Sequence, residues 1–213
     1  MDEVLERFRA RSAAEICSGC DFENDIAPWL TDEPDAATFL QRLLDGGAAK
    51  DAVRFLCHAL EPREAVWLAW DAAGGVDGDG AVATTEALAA TSAWLVEGTD
   101  ELRRAAHDAA ERCGLDTAAG CAAMAVFFAE GSLGPPDLEQ EVPAPPGTCA
   151  KIATGALLLA AVRDPVHADE RAAGYVARWF ELAATEPPWQ VAASGAGEPT
   201  GEDSGGYDTD MKF

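Results

Sequence analysis

The stretch from Gly131 to Ala161, GSLGPPDLEQEVPAPPGTCAKIATGALLLAA, constrains the fold of this chain more than any other. Five prolines fall between Pro135 and Pro146. Each removes a backbone donor and pushes the residue before it toward extended conformations, so no regular helix or inner strand passes through. Directly after them, Ile152 to Val162 (IATGALLLAAV) carries no charge. Eleven residues fall well short of the roughly 20 needed to cross a bilayer, so the run is expected in a protein core. The doublets Pro135-Pro136 and Pro145-Pro146 favour a polyproline-like path. That path could be a flexible linker, a ligand for a proline-reading partner, or a strut within one domain. Leu133, Leu138 and Val142 recur along it as apolar anchors, and a single helical pair follows, too little for an independent core. The expectation is an ordered strut pinned by those three residues. It delivers Thr148 as the N-cap of a buried helix in which Gly155 permits close approach. Residues 1–185 then read as one helical domain, and residues 186–213, rich in Gly, Pro and acids, as a disordered tail.

Upstream, apolar residues recur at helical spacing between helix stops. Hydrophobic residues make up 48% of the chain, with alanine prominent and β-branched and aromatic residues modest, which favours helix over sheet. A first helix is expected over Asp2–Ile16, with Leu5, Phe8 and Ile16 on its inner side. A second starts near Thr31–Pro34, carries Phe39, Leu40, Leu43 and Leu44, and stops at Gly46-Gly47. Val53, Leu56 and Leu60 mark a third, and Pro62 opens a fourth with Val66, Trp67 and Trp70 on one face. Two more carry Thr84 and Thr99 as N-caps and Gly98 and Gly114 as stops. A helix with Met124, Phe127 and Phe128 precedes the strut, and Pro165 opens the last, anchored by Val176, Trp179 and Phe180. The result is an all-α, irregular bundle of about nine helices, with solenoid-like helical repeats as the alternative.

The net charge of -23 arises from 38 acidic against 15 basic residues. Such a surface repels phosphate backbones and anionic lipid, so nucleic acid and membrane surfaces are poor partners and a basic protein surface or a cation is the better match. Solubility or a salty habitat would account for the same acidity. The charged N-terminus has no apolar core of a signal peptide, so a cytoplasmic location and reduced thiols are expected for the six cysteines.

Motifs for chemistry are sparse. Cys17-Ser-Gly-Cys20 could exchange thiols or supply half of a zinc site, but no strand precedes it and no second pair stands at finger spacing. Asp77–Gly80 (DGDG) evokes a calcium loop, yet the twelfth position holds Leu88 or Ala90 rather than Glu, so it reads as a turn. His58, His107 and His167 form no local triad, and no phosphate-binding, dinucleotide or nucleophile-elbow pattern occurs. No cofactor is implied. Trp67 and Trp70, three apart, form either core or a docking patch, with Arg63 and Glu64 as a charged rim or a solvated helix start.

Two blocks resemble an uncharacterised family of bacterial proteins, a domain of unknown function. Asp51–Ala73 (DAVRFLCHALEPREAVWLAWDAA) is similar to that family's FLAxALPxREAVWW block, and Phe127–Val162 to its GSLxPPDxxxVPxPPxxTAxxVAGAVLLAAV block. Leu68 stands where the family has its second tryptophan, with Trp70 beyond it, and Glu61 displaces the family proline to Pro62. The resemblance implies a helical, cytoplasmic accessory protein, often encoded near type VI secretion or forkhead-associated components, and it transfers no catalytic residue. The expectation for function is a non-enzymatic adaptor, scaffold or chaperone-like module with a basic protein partner. A metal- or thiol-dependent protein using Cys17 and Cys20 is the alternative.

Overall fold

Apolar side chains three and four positions apart share one helix face, and burying those faces together builds the core of this molecule. The computed structural model describes residues 7–74, 81–138, 140–187 and 189–191. Their elements run α1 (Ala13–Cys17), a 3-10 turn (Ala27–Trp29), α2 (Ala36–Asp45), α3 (Ala49–Ala59), α4 (Pro62–Gly74), α5 (Val82–Glu97), α6 (Asp100–Cys113), α7 (Ala118–Phe127), α8 (Thr148–Val162) and α9 (Ala168–Ala183). Among the described residues, strand-like pairing is confined to three isolated bridges, Phe8 with Leu60, Ser12 with Asp35 and Ser132 with Pro143. The fold is an all-α multi-helix bundle. No helix among the described residues is long and apolar enough to cross a membrane.

Helix α7 lies at the centre. Every residue from Ala118 to Val126 is buried, and α4, α5, α6 and α8 all pack against it. Small side chains allow that approach. The tightest point is Gly120, where an added Cβ would stand 2.0 Å from the Gly114 carbonyl oxygen. Gly155, expected to serve this purpose, has only the Cys121 sulfur 4.0 Å from such a Cβ, so its position tolerates a methyl group.

Helix α9 returns to pack on α3 and α8, and Phe8 stacks on Trp179 with centroids 5.0 Å apart. In a solenoid each repeat touches its neighbours alone. Contacts joining the two ends of the chain therefore make an irregular bundle.

Several expected boundaries move. Of the predicted first helix, residues 1–6 lie outside the described residues, and residues 8–12 form no helix but bridge to other segments at Phe8 and Ser12. The Arg9 amide donates to the Ala59 carbonyl (2.7 Å), the Arg11 carbonyl accepts from Ala36 and the Pro34 carbonyl from Ala13. Satisfying the free ends of α2 and α3 outweighs local helix propensity there. Helix α2 starts later than Thr31–Pro34, because the Asp35 carboxylate accepts from the Thr38 amide at 2.7 Å and forms the cap. Thr99 is an N-cap as expected, whereas α5 begins at Val82, ahead of Thr84. Gly98 and Gly114 do stop their helices. Thr148 is the first residue of α8 rather than its cap, its hydroxyl donating to the Pro145 carbonyl at 2.8 Å. Pro165 lies in a turn ahead of α9, whose Phe180 is exposed while Val176 and Trp179 are buried. The DGDG turn lies outside the described residues.

The proline segment is held by means the sequence reading did not anticipate. Leu138 and Val142 are exposed and lie against Gly134 of the same segment rather than among the side chains packed on the core. Arg103, 1% exposed on α6, donates to the Phe127 and Ser132 carbonyls, each at 2.7 Å, and stacks its guanidinium over the Phe127 ring. Arg104 donates to the Gly134 carbonyl at 2.8 Å, and Asp100 pairs with both arginines. Within the segment, Leu133 N–H donates to the Val142 carbonyl and the Ser132 hydroxyl accepts from Val142 and Gly134. Prolines leave carbonyls without matching donors, and two arginines supply them.

Candidate functional site

Helix α3 carries two buried polar side chains two turns apart, Asp51 and His58. Asp51 sits in the first turn and is fully buried. Its carboxylate accepts from the Glu23 amide (2.9 Å), the Asn24 amide (3.0 Å), the Asn24 side chain (2.8 Å) and Arg54 (3.2 Å). Arg54 also pairs with Glu23. These bonds draw the segment after Cys20 onto α3. Lys151 of α8 secures its start through Asp21 at 2.8 Å, which holds the Asp21 carboxyl below the usual range.

His58 is buried at the other end of α3. Its Nδ1 lies 2.9 Å from the Arg54 carbonyl, and because a carbonyl only accepts, Nδ1 carries the proton. Burial lowers its pKa, which favours the neutral ring with its lone pair on Nε2. Nε2 has no hydrogen-bond partner. That edge of the ring faces two glycines. A Cβ on Gly147 would sit 3.5 Å from Nε2, and one on Gly19 would sit 3.4 Å from Cδ2.

Three cavities adjoin this point. The largest, about 400 Å³, runs along the proline segment from Phe128–Gly131 to Pro143–Ala150, with Arg9, Glu61 and Pro62 opposite. A second, about 220 Å³, is walled by His58, Gly19, Gly147, Arg9, Glu15 and Ser18. The third, about 250 Å³, lies between His58, Arg54, Lys151 and Asp21. The sequence brings none of these groups together, since Arg9, His58 and Gly147 come from three distant stretches. A histidine on the apolar side of a helix, between Cys57 and Ala59, was the signal present in the sequence.

The residues singled out from sequence fall elsewhere. Cys17 and Cys20 are half-buried, and burial pushes their thiols up to about 11 and about 12, away from the reactive thiolate. Cys57 and Cys149 are raised likewise. Among the described residues, the His, Cys, Asp and Glu ligand atoms that come together in threes are those of His107, Asp108 and Glu111 on α6, a group that excludes both motif cysteines.

Trp67, Trp70, Arg63 and Glu64 pack inward rather than forming an exposed patch. Trp67 is 7% exposed, and Trp70 donates its indole N–H to the Leu88 carbonyl at 3.0 Å. Arg63 lies between the Trp94 and Trp189 rings and donates to the Trp94, Leu95 and Val96 carbonyls, closing the end of α5. Glu64 pairs with Arg7 at 3.3 Å, while burial raises its carboxyl. Trp189 falls inside the stretch expected to be a tail, yet it sits edge-on to Trp67. Residues 192–213 of that stretch lie outside the described residues. Pro135, Pro136, Pro145 and Pro146 are exposed, the latter pair on the rim of the large cavity.

The sequence between residues 39 and 183, more than half of the chain, matches the model of a family of unknown function (DUF6931). The chain belongs to this family. Both sequence blocks described above lie within the matched residues. Asp51, Arg54, His58 and the α8 start fall inside it as well, whereas Glu23 and Asn24, which bond Asp51, fall outside together with Arg9, Gly19 and Trp189. Neither a curated protein nor a solved structure matches the chain.

Proposed function

We propose that this protein is a cytoplasmic, non-enzymatic adaptor or scaffold, chaperone-like in action, which holds an extended basic segment of a partner protein along its proline strut. The observation that carries this reading is the open cavity of about 400 Å³ beside the strut, rimmed by exposed Pro143, Pro145 and Pro146 and faced by the exposed acids Glu61 and Glu130. A proline-edged groove offers carbonyls and flat rings without competing donors, which suits a chain lying extended. The net charge of -23 attracts a basic segment and repels nucleic acid and anionic lipid. An accessory role in a type VI secretion apparatus is the setting that the sequence resemblance supports.

Affinity capture from native cells with the full chain tests the reading. A basic protein should be enriched at low salt, lost in about 0.5 M salt where screening is within a few Å, and lost with the double variant Glu61→Lys, Glu130→Lys. Absence of any enriched protein, or capture indifferent to both changes, would refute it.

A further inference from the structure

Helix α8 starts at the proline strut, and a different surface surrounds its far end. A cavity of about 190 Å³ opens there, lined by Ala73 of α4, Thr84 of α5, residues 116–119 at the start of α7, and Leu159 and Arg163 of α8 and its cap. Large apolar side chains gather around it. Val82, Leu115, Val162 and Val166 each stand within three residues of a lining residue, and all four are exposed. They are four of the nine large apolar side chains exposed among the described residues, so apolar surface is concentrated at this end. Val166 is 86% exposed and firmly presented. In the turn between α8 and α9, the Asp164 carboxylate accepts its N–H at 3.2 Å and holds His167 at 2.8 Å. The bundle thus carries a braced apolar knob beside a hole of side-chain size.

Charge selects the occupant. Arg163 and Asp116 are exposed and line the cavity together, yet neither side chain has a hydrogen-bond or ion-pair partner among the described residues. Two copies of a chain with net charge -23 repel one another, so they can meet only where the local charge is balanced. Here it is balanced. Arg163 and Asp116 cancel, and the acids close by in sequence, Asp164 and Glu86, are already bonded to His167 and Arg112.

A two-fold interface sets the same patch against itself, so each residue pair occurs twice with the roles exchanged. A patch with one free cation and one free anion meets that condition with its own copy. A foreign surface of a single sign would leave one of the two charges unmet. We propose that two copies of this chain associate through this face about a two-fold axis, Val166 of each entering the cavity of the other and Arg163 of each pairing with the partner's Asp116. This contact does not depend on the adaptor reading, because the strut groove lies about 20 Å away at the opposite end of α8.

The test is analytical sedimentation of the full chain at about 0.15 M salt, where repulsion between the copies is screened beyond about 8 Å. The mass should rise from one chain toward two between about 1 and 500 µM, as befits a small, transient interface. Val166→Asp should weaken association at least about tenfold by carrying a charge into the cavity. Arg163→Asp and Asp116→Arg should each have an effect of the same size, since each sets like charges face to face. Mixed in equal amounts, those two variants should regain the parent affinity, and so should one chain carrying both changes, because every pair is again opposite in sign. All three positions are exposed, so circular dichroism should stay unchanged. A parent chain that remains monomeric throughout, undiminished association of Val166→Asp, or no recovery in the mixture would overturn the proposal. So would a monomeric parent that captures a foreign protein and loses it with Val166→Asp, since the face would then serve another occupant.

Discussion

Asp51 and His58 occupy one helix, seven residues apart and both buried, yet they are treated in opposite ways. The carboxylate receives four hydrogen bonds from three residues. The imidazole is bonded at one nitrogen and left open at the other. A buried charge is tolerable only when its lone pairs are met, and meeting them with loop amides is a way of fixing a loop. A neutral ring with an open lone pair fixes nothing at that atom. The first arrangement is how this chain assembles its amino-terminal edge; the second leaves an acceptor without a donor inside the fold.

Mutations at the two positions should therefore differ sharply. Asp51→Ala strands the Glu23 and Asn24 amides and leaves Arg54 facing Glu23 alone. It should cost about 3–5 kcal/mol, seen in chemical denaturation, and release residues 20–24 to hydrogen exchange. A loss under about 1 kcal/mol would erase the contrast. Arg103 extends the comparison to a second fully engaged group. Arg103→Met keeps the apolar stem but deprives the Phe127 carbonyl of the Arg103 donor and leaves Ser132 the longer bond from Arg104, at 3.3 Å. Its expected cost is about 2–3 kcal/mol, with faster exchange of the Leu133 amide as the strut loosens.

His58→Leu removes an acceptor that has no partner and one bond to a helix carbonyl, so stability should stay within about 1 kcal/mol of the parent. The pH response sharpens the point. Burial depresses the folded-state pKa of His58, so protons bind the unfolded chain first, near its ordinary value of about 6.5. The parent should therefore lose stability as pH falls from about 6.5 toward the lower folded value. His58→Leu should lack that part of the loss. Parallel melting curves for the two proteins between pH 8 and 5 would contradict the assigned neutral ring.

The helices were legible in the sequence where the pattern was local. Phe39, Leu40 and Leu43, then Val53, Leu56 and Leu60, announced α2 and α3, and Thr99, Gly98 and Gly114 marked true ends. Local spacing failed where the deciding partner lay far along the chain. Arg103 and Arg104 stand in a run of charges that reads as a solvated face, and only the strut folding back reveals them as its clamps. Phe8 is buried as its spacing suggested, but by a bridging segment against α3 and α9 rather than by a helix. The candidate site was invisible for the same reason: Gly147 meets the His58 ring from across the fold, and no periodicity encodes that.

Trp189 has a practical consequence. The family match ends at residue 183, and the composition beyond it reads as dispensable. Yet this indole covers the guanidinium of Arg63 and meets the Trp67 ring. Trimming the chain to the matched boundary would strip one face from a half-buried cation and uncover an aromatic surface. Such a fragment should be stickier and redder in its tryptophan emission than the intact protein, even though every matched residue remains.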